Sequence, residues 1–233
     1  MQTVDREPIT FAQLLDLPGV VEDLALRSRF GFCAFHGGNL ERRTERIAER
    51  AAERSGASYY GVVQPKGTRR HIPSKFVTAD QSPQLASFLD HCDVVVAIHG
   101  YGLRGRWIDL LFGGQNRELA KHMAHHVRHT TPSYRCVDDL DDIPARLRGV
   151  HPDNPANRPR LGGVQIELPP RIRGLTPMAA YWPGHDWRAE PFPHIEWLIE
   201  GLAEGALAWP AETSAPMRST AVASTSVGAA AAQ

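Results

Sequence analysis

Apolar runs alternate along this chain with stretches that place apolar side chains at helical spacing. The runs are short and rich in β-branched or aromatic residues, which is typical of strands, and the spacing of three or four residues is typical of amphipathic helices. The pattern predicts strands at residues 30–35, 58–63, 94–98, 107–112, 134–137 and 163–168. It predicts helices at residues 41–54, 82–91, 115–129 and 197–207.

This alternation indicates an α/β fold with one mostly parallel sheet flanked by helices. The run at 94–98 is apolar throughout, as expected of a central strand with both faces covered. Residues 138–160 are rich in Pro, Asp, Asn and Arg, and we expect a long functional loop with one helical turn. We assign residues 1–209 to a single domain and expect 210–233, which has almost no large apolar residues, to be disordered.

Charge, hydropathy and cysteine content narrow the functional class. Lys plus Arg equals Asp plus Glu at 26 each, so net charge indicates neither a nucleic-acid nor a membrane partner. No apolar run is long enough to span a bilayer and no signal peptide is visible, so we expect a cytoplasmic protein. Cys33, Cys92 and Cys136 are far apart and set among apolar residues, which favours buried free thiols.

The stretch 32–41 joins an apolar strand to two candidate metal ligands. His36 follows the apolar residues directly, and Glu41 comes after two glycines and an Asn-Leu pair. Imidazole nitrogens and carboxylate oxygens bind catalytic zinc, and open α/β sheets hold their active sites just beyond the strand ends. His36 and Glu41 therefore form a candidate half of a zinc site.

A third candidate ligand follows the predicted central strand. The apolar run at 94–98 ends in His99 and Gly100, which repeats the order of strand, histidine and glycine found at His36. Since strand ends of this kind form the active-site edge of an α/β sheet, we expect His99 to supply the other half of the site.

Glu167 is a carboxylate in the middle of a predicted strand. Alternation along 163–168 places it on the same face as Gln165, opposite the apolar side chains of the strand. A carboxylate in a covered strand needs a partner, and the functional interpretation makes Glu167 the general base that acts on a metal-activated water. The alternative is an edge strand whose Glu167 faces solvent.

Short motifs follow one another in order between residues 30 and 173. They are His36-Gly-Gly-Asn-Leu-Glu41 with Thr44-Glu45, His71-Ile72-Pro73-Ser74-Lys75-Phe76, Ile98-His99-Gly100-Tyr101, Asn154-Pro-Ala-Asn157-Arg158, and Gly162-Gly163-Val164-Gln165-Ile166-Glu167-Leu168. The ordered set resembles the phage-type poly-γ-glutamate hydrolase family, which is similar in fold and site to the zinc carboxypeptidases. The resemblance implies a zinc held by His36, Glu41 and His99, with Glu167 as the catalytic carboxylate.

The chain departs from the family pattern at two places. Arg42 and Arg43 stand where a smaller, often glycine-containing pair is expected, and Pro73 interrupts the His-Ile-x-Ser stretch. Neither change touches a proposed ligand, but both could reshape the substrate groove. Peptidase activity is therefore better supported by the sequence than activity on poly-γ-glutamate itself.

A γ-linked glutamate chain carries a free α-carboxylate at every unit, so the groove should offer cations. Arg158 is the first choice, because a guanidinium can grip a carboxylate at two points. With Asn157 it resembles the carboxylate-binding Asn-Arg pair of zinc carboxypeptidases, although here the pair follows His99. Further candidates for substrate contact, for which ordinary surface exposure is the alternative, are Arg104, Arg106, Lys75 and His71.

The sequence thus predicts a zinc-dependent hydrolase of γ-glutamyl amide bonds in an anionic polymer or peptide. The alternatives are a deacylase or peptidase of small N-acyl amino acids, and a non-catalytic metal-containing module that binds a ligand. A phage-related protein of this kind would leave the cytoplasm by lysis of its host.

Overall fold

The computed structural model describes residues 8–175 and 193–210, which form one seven-stranded sheet flanked by helices. The strands are β1 (Val21–Ala25), β2 (Phe30–Gly38), β3 (Ser58–Gln64), β4 (Val94–Gly100), β5 (Asp109–Phe112), β6 (Arg135–Val137) and β7 (Gly163–Leu168). The helices are α1 (Phe11–Leu15), α2 (Thr44–Ser55), α3 (Pro83–His91), α4 (Arg117–Thr130) and α5 (Pro193–Ala208). The predicted α/β class is confirmed.

The sheet is mixed, with a parallel centre and antiparallel neighbours. Its strand order is β1-β3-β2-β4-β7-β5-β6. Strands β3, β2, β4 and β7 run parallel to one another, whereas β1 pairs antiparallel with β3 and β5 pairs antiparallel with β7. The central position of β4 is as predicted from its apolar run, since it lies between β2 and β7.

Two apolar layers cover the sheet. On one face, the apolar sides of α2, α4 and α5 pack against side chains that include Phe32, Ile98 and Ile166. On the other face, α1 and α3 pack against side chains that include Phe35 and Tyr60. His36, His99 and Glu167 therefore lie near the ends of strands that are buried on both sides.

The structure differs from the predicted elements where local geometry overrides pattern. Helix α2 begins at Thr44, not at residue 41, because Arg43 adopts a left-handed conformation at φ 73° that helical residues do not use. Strand β1 was missed because it carries Glu22 and Asp23 and none of its residues is buried, so it has no apolar run. Helix α1 was missed because five residues are too few to show a helical period. The loop at 138–160 holds two 3₁₀ turns, Ala145–Leu147 and Pro155–Asn157, instead of the one helical turn expected.

Three further expectations concern the cysteines, membrane-spanning helices and the C-terminal tail. The three cysteines are buried and free. In the ranges that the structure describes, no helix is both long and apolar enough to cross a bilayer. The predicted disordered tail lies outside the described residues from 211 onward.

The Asn116 side chain caps the start of α4 and hydrogen-bonds to a neighbouring loop. Replacing it by alanine is expected to lower the free energy of unfolding by about 2 kcal/mol. Its Oδ1 accepts the Leu119 amide at 2.9 Å, and its Nδ2 donates to the Leu161 carbonyl at 3.0 Å. Urea denaturation measures the loss. Asn116→Asp keeps the cap and should lose less, and equal stability of Asn116→Ala and the natural chain would contradict this role.

Candidate metal centre and catalytic groove

His36 lies at the end of β2, where the strand leaves the apolar core. Its Nε2 is 2.8 Å from the carbonyl of Ile72, so that nitrogen carries the proton and donates. Its Nδ1 then lies 2.9 Å from Oε1 of Glu41. The turn after β2 brings this carboxylate back to the strand end, since the amide of Glu41 donates to the His36 carbonyl at 2.9 Å.

His99 meets the same carboxylate from the neighbouring strand β4. Its Nδ1 lies 3.4 Å from Oε2 of Glu41, and the amide of Gly100 donates to that oxygen at 2.8 Å. The rings of His36 and His99 are 5.0 Å apart, edge to face. The structure therefore brings together His36, Glu41 and His99, as the strand-end argument predicted.

Glu167 lies beside His99 on β7, since the two residues are register partners across β4 and β7. Strand β7 is flanked by β4 and β5, so the alternative of an edge strand is wrong. The Glu167 side chain is buried, at 5% relative exposure, which a solvent-facing carboxylate would not be.

The amide of Gln165 holds Glu167, and the amide of Asn154 holds Gln165 in turn; neither was predicted to have a role in the site. Gln165 donates from Nε2 to Oε1 of Glu167 at 2.8 Å, and Asn154 donates to Oε1 of Gln165 at 2.7 Å. The second bond fixes the Gln165 amide with its nitrogen toward the carboxylate. Alternation already placed Gln165 on the face of Glu167, whereas Asn154 comes from the 138–160 loop, and only folding reveals that contact.

The charges at the site are strongly coupled. Burial disfavours ionisation of Glu41, but His36 and His99 outweigh it and hold the pKa of Glu41 well below its usual range. Burial also disfavours the charged form of His99, yet the carboxylate of Glu41 raises the pKa of His99 above its usual value. Glu41 is therefore ionised over the physiological pH range and can act as an anionic ligand.

Glu167 differs in its electrostatics. Burial raises the pKa of Glu167 to about 7, against the opposing effect of His99. A carboxyl group with a pKa near the working pH can both take and return a proton, which is what a general base needs. A cation held beside it would favour its ionised form. The two carboxylates are thus suited to different tasks, Glu41 to metal binding and Glu167 to proton transfer.

The donor set fits a divalent metal such as zinc. Two imidazole nitrogens converge on one ionised carboxylate in a buried site, which is the donor chemistry of catalytic zinc. The Nε2 atom of His99 is buried and has no hydrogen-bond partner among the described residues. His71 also approaches the site, because one ligand atom each from His36, Glu41 and His71 lie within 4.8 Å of one another. His71 is therefore a second candidate for the third ligand.

An open cavity of about 750 Å³ leads to these groups and is lined by His36, Glu41, His99 and Glu167. Of the predicted substrate-binding residues, His71 and Lys75 line it. Two cations that the sequence analysis missed also line it, namely Arg69 and Arg146. They belong to loops with no periodic pattern, so no sequence signal pointed to them.

The other predicted substrate residues have different surroundings. Asn157 is buried, and its amide group donates to the carbonyls of Gly149 and His151 at 2.7 and 3.0 Å. Arg158 is exposed and lies 3.7 Å from Asp153, outside the residues that line the cavity. Arg104 and Arg106 do not line the cavity either. The cations that line the cavity, and so become the candidates for contact with substrate, are Arg69, Lys75 and Arg146.

Comparisons with known proteins agree with this architecture. The sequence profile of the poly-gamma-glutamate hydrolase family matches residues 18–176. A bacteriophage poly-gamma-glutamate hydrolase is similar in structure, with 22% sequence identity, a TM-score of 0.64 and coverage of 83% of this chain and 91% of the other. The zinc-free form of a protein called YNDL is also similar, at 22% identity and a TM-score of 0.60, covering 78% and 89% of the two chains. None of the curated protein sequences matches the chain.

Proposed function

Because the chain belongs to the poly-gamma-glutamate hydrolase family, we propose that it is a zinc-dependent hydrolase of γ-glutamyl amide bonds. The observation that carries the proposal is the convergence of His36 and His99 on one carboxylate, with a second buried carboxylate beside them. The solved zinc-free form of a similar fold supports zinc as the metal.

Each residue of the site has a separate task in the proposed reaction. His36, Glu41 and His99 would hold the zinc, and Glu167 accepts the proton of the attacking water. Zinc, when bound, supplies Lewis-acid chemistry that acidifies water and polarises an amide carbonyl. Glu167 then passes its proton to the leaving amine, and its bond from Gln165 keeps the carboxyl group oriented for both transfers.

The cations of the cavity suit an anionic substrate. Every unit of a γ-linked glutamate chain carries an α-carboxylate, and Arg69, Lys75 and Arg146 lie along the cavity that contains the site. A second cavity of about 660 Å³ shares the residues Arg69, His71 and Pro73 with the first. This extended groove favours a polymeric or peptide substrate over a small N-acyl amino acid.

Buried Glu167 also favours an enzyme over a metal-containing binding module. Burying a carboxyl group costs free energy, and a module that only binds a ligand gains nothing from a proton acceptor beside the metal. The test is to measure bound zinc by elemental analysis and cleavage of poly-γ-glutamate by the release of free amines. Stoichiometric zinc without cleavage of any γ-glutamyl amide would contradict the proposed activity.

His71→Ala is expected to keep stoichiometric zinc and to raise the KM for a γ-glutamyl substrate. His71 is exposed and lies in both parts of the groove, whereas His99 is buried against Glu41. Elemental analysis and steady-state kinetics measure both quantities, with His91→Ala as the control for loss of a histidine elsewhere. Loss of zinc from His71→Ala, with zinc kept by His99→Ala, would replace His99 by His71 in the ligand set.

A further inference from the structure

Arg173 is a buried cation whose guanidinium is bonded to three separate segments of the chain. Its relative exposure is 5%. Nε donates to the Leu168 carbonyl at 3.2 Å, Nη1 to the Arg42 carbonyl at 3.0 Å, and Nη2 to the Tyr101 carbonyl at 3.5 Å. A planar guanidinium offers donors in several fixed directions, so one side chain can link all three segments.

Each of the three acceptor carbonyls stands beside a residue of the proposed site. They come one residue after Glu41, two residues after His99 and one residue after Glu167. We propose that Arg173 is a positioning residue that keeps these three groups in the arrangement that binds zinc and orients the base. The inference rests on the proposed function, but it assigns a role to a residue outside the ligand set and the base.

The bonding of Arg173 leaves the carboxylates free for the metal and the water. Among the described residues, no carboxylate lies within ion-pair distance of its guanidinium, and its bonds go to carbonyl oxygens. Burial lowers the pKa of Arg173, and the charges of Glu41 and Glu167 oppose that effect through space. The cation therefore offsets part of the negative charge of Glu41 and Glu167 while its hydrogen bonds go to carbonyl oxygens.

Two further features fix the position of Arg173. A Cβ atom on Gly100 would lie 2.6 Å from Cζ of Arg173, so only glycine leaves room for the guanidinium there. On the other side, Nη1 of Arg43 donates to the Arg173 carbonyl at 2.9 Å. The left-handed Arg43, which departs from the family pattern, thus helps to hold the backbone of Arg173.

The first test compares Arg173→Lys with a matched change at Arg117. Arg117 also donates to backbone carbonyls, those of Phe112 and Gly114 at 3.0 and 3.1 Å, but it does not line the cavity. Arg173→Lys is expected to weaken zinc affinity, measured by chelator competition, about 10- to 100-fold and to lower kcat with KM little changed. Arg117→Lys is expected to leave zinc affinity and kcat unchanged.

The second test keeps Arg173 and moves it. Gly100→Ala should weaken zinc affinity by displacing the guanidinium, and it should have a much smaller effect in an Arg173→Ala background, where nothing is left to displace. Equal effects of Gly100→Ala in both backgrounds would overturn the inference. So would an Arg173→Lys variant with the zinc affinity and kcat of the natural chain, or one in which only KM rises, since that result would make Arg173 a substrate ligand.

A readout without metal separates this inference from the proposed function. The amides of Gly100 and Tyr101 donate to Oε2 of Glu41 and to the Leu168 carbonyl, so their hydrogen exchange reports the geometry that Arg173 is proposed to maintain. Faster exchange at these amides in Arg173→Lys, but not in Arg117→Lys, supports the positioning role, and unchanged exchange overturns it. A natural chain that binds no zinc and cleaves no γ-glutamyl amide contradicts the proposed function instead.

Discussion

Replacing Glu167 by glutamine is expected to lower kcat by about 10²- to 10⁴-fold, the range that general base catalysis contributes. The amide has nearly the shape of the carboxylate but cannot accept the proton of the attacking water. Because residue 167 is buried beside Gln165, a carboxylate added to the buffer is not expected to replace the lost base. Zinc content and KM should stay close to those of the natural chain, because Glu167 is not one of the proposed ligands.

Kinetics on a γ-glutamyl substrate and elemental analysis of the same sample measure this outcome. Glu200→Gln is the matched control, since the Glu200 side chain is 60% exposed and belongs to α5, away from the groove. Full activity of Glu167→Gln would remove Glu167 from the mechanism. Loss of zinc together with activity would instead make Glu167 a metal ligand.

Glu41→Gln is expected to lose stoichiometric zinc, with a fall in affinity greater than the 10- to 100-fold typical of changes to the groups around the ligands. Both histidine Nδ1 atoms approach the oxygens of this one side chain, and its pKa is held low, so it is the anionic centre of the site. Glutamine removes the negative charge and turns an amide donor toward the ligands.

Zinc affinity by chelator competition is the measurement, with activity in excess zinc as the second readout. Glu45→Gln is the control from the same region, because Oε2 of Glu45 accepts the Gly38 amide at 2.9 Å and Glu45 does not line the cavity. Zinc affinity of Glu41→Gln equal to that of Glu45→Gln would show that the metal, if bound, is held elsewhere.

The strands that the sequence predicted most closely are those with long apolar or alternating runs. Strands β2, β4 and β7 have continuous apolar or strictly alternating patterns, and each was predicted within three residues of its bounds. The start of α2 was missed because the choice depends on a single backbone conformation at Arg43. Residue patterns carry no information on a positive φ at an arginine.

The same distinction applies to the groove. Arg158, the first choice from the sequence because a guanidinium can grip a carboxylate, lies outside the cavity, whereas His71 and Lys75 line it. Arg146 was missed, because its loop reaches the cavity only through contacts between segments far apart in the chain. Whether a loop cation faces a site depends on the path of the loop, which is not periodic.

The sequence by itself determined the α/β class and predicted that His36, Glu41 and His99 lie close together. Each histidine ends an apolar strand, and parallel strands deliver their ends to one edge of a sheet, so local pattern and a general rule of topology were sufficient. Only the tertiary structure decided that β7 lies beside β4, that Gln165 orients Glu167, and that Arg173 joins three segments of the site. Those contacts join residues that are distant along the chain or depend on side-chain direction, which local hydrophobic pattern does not encode.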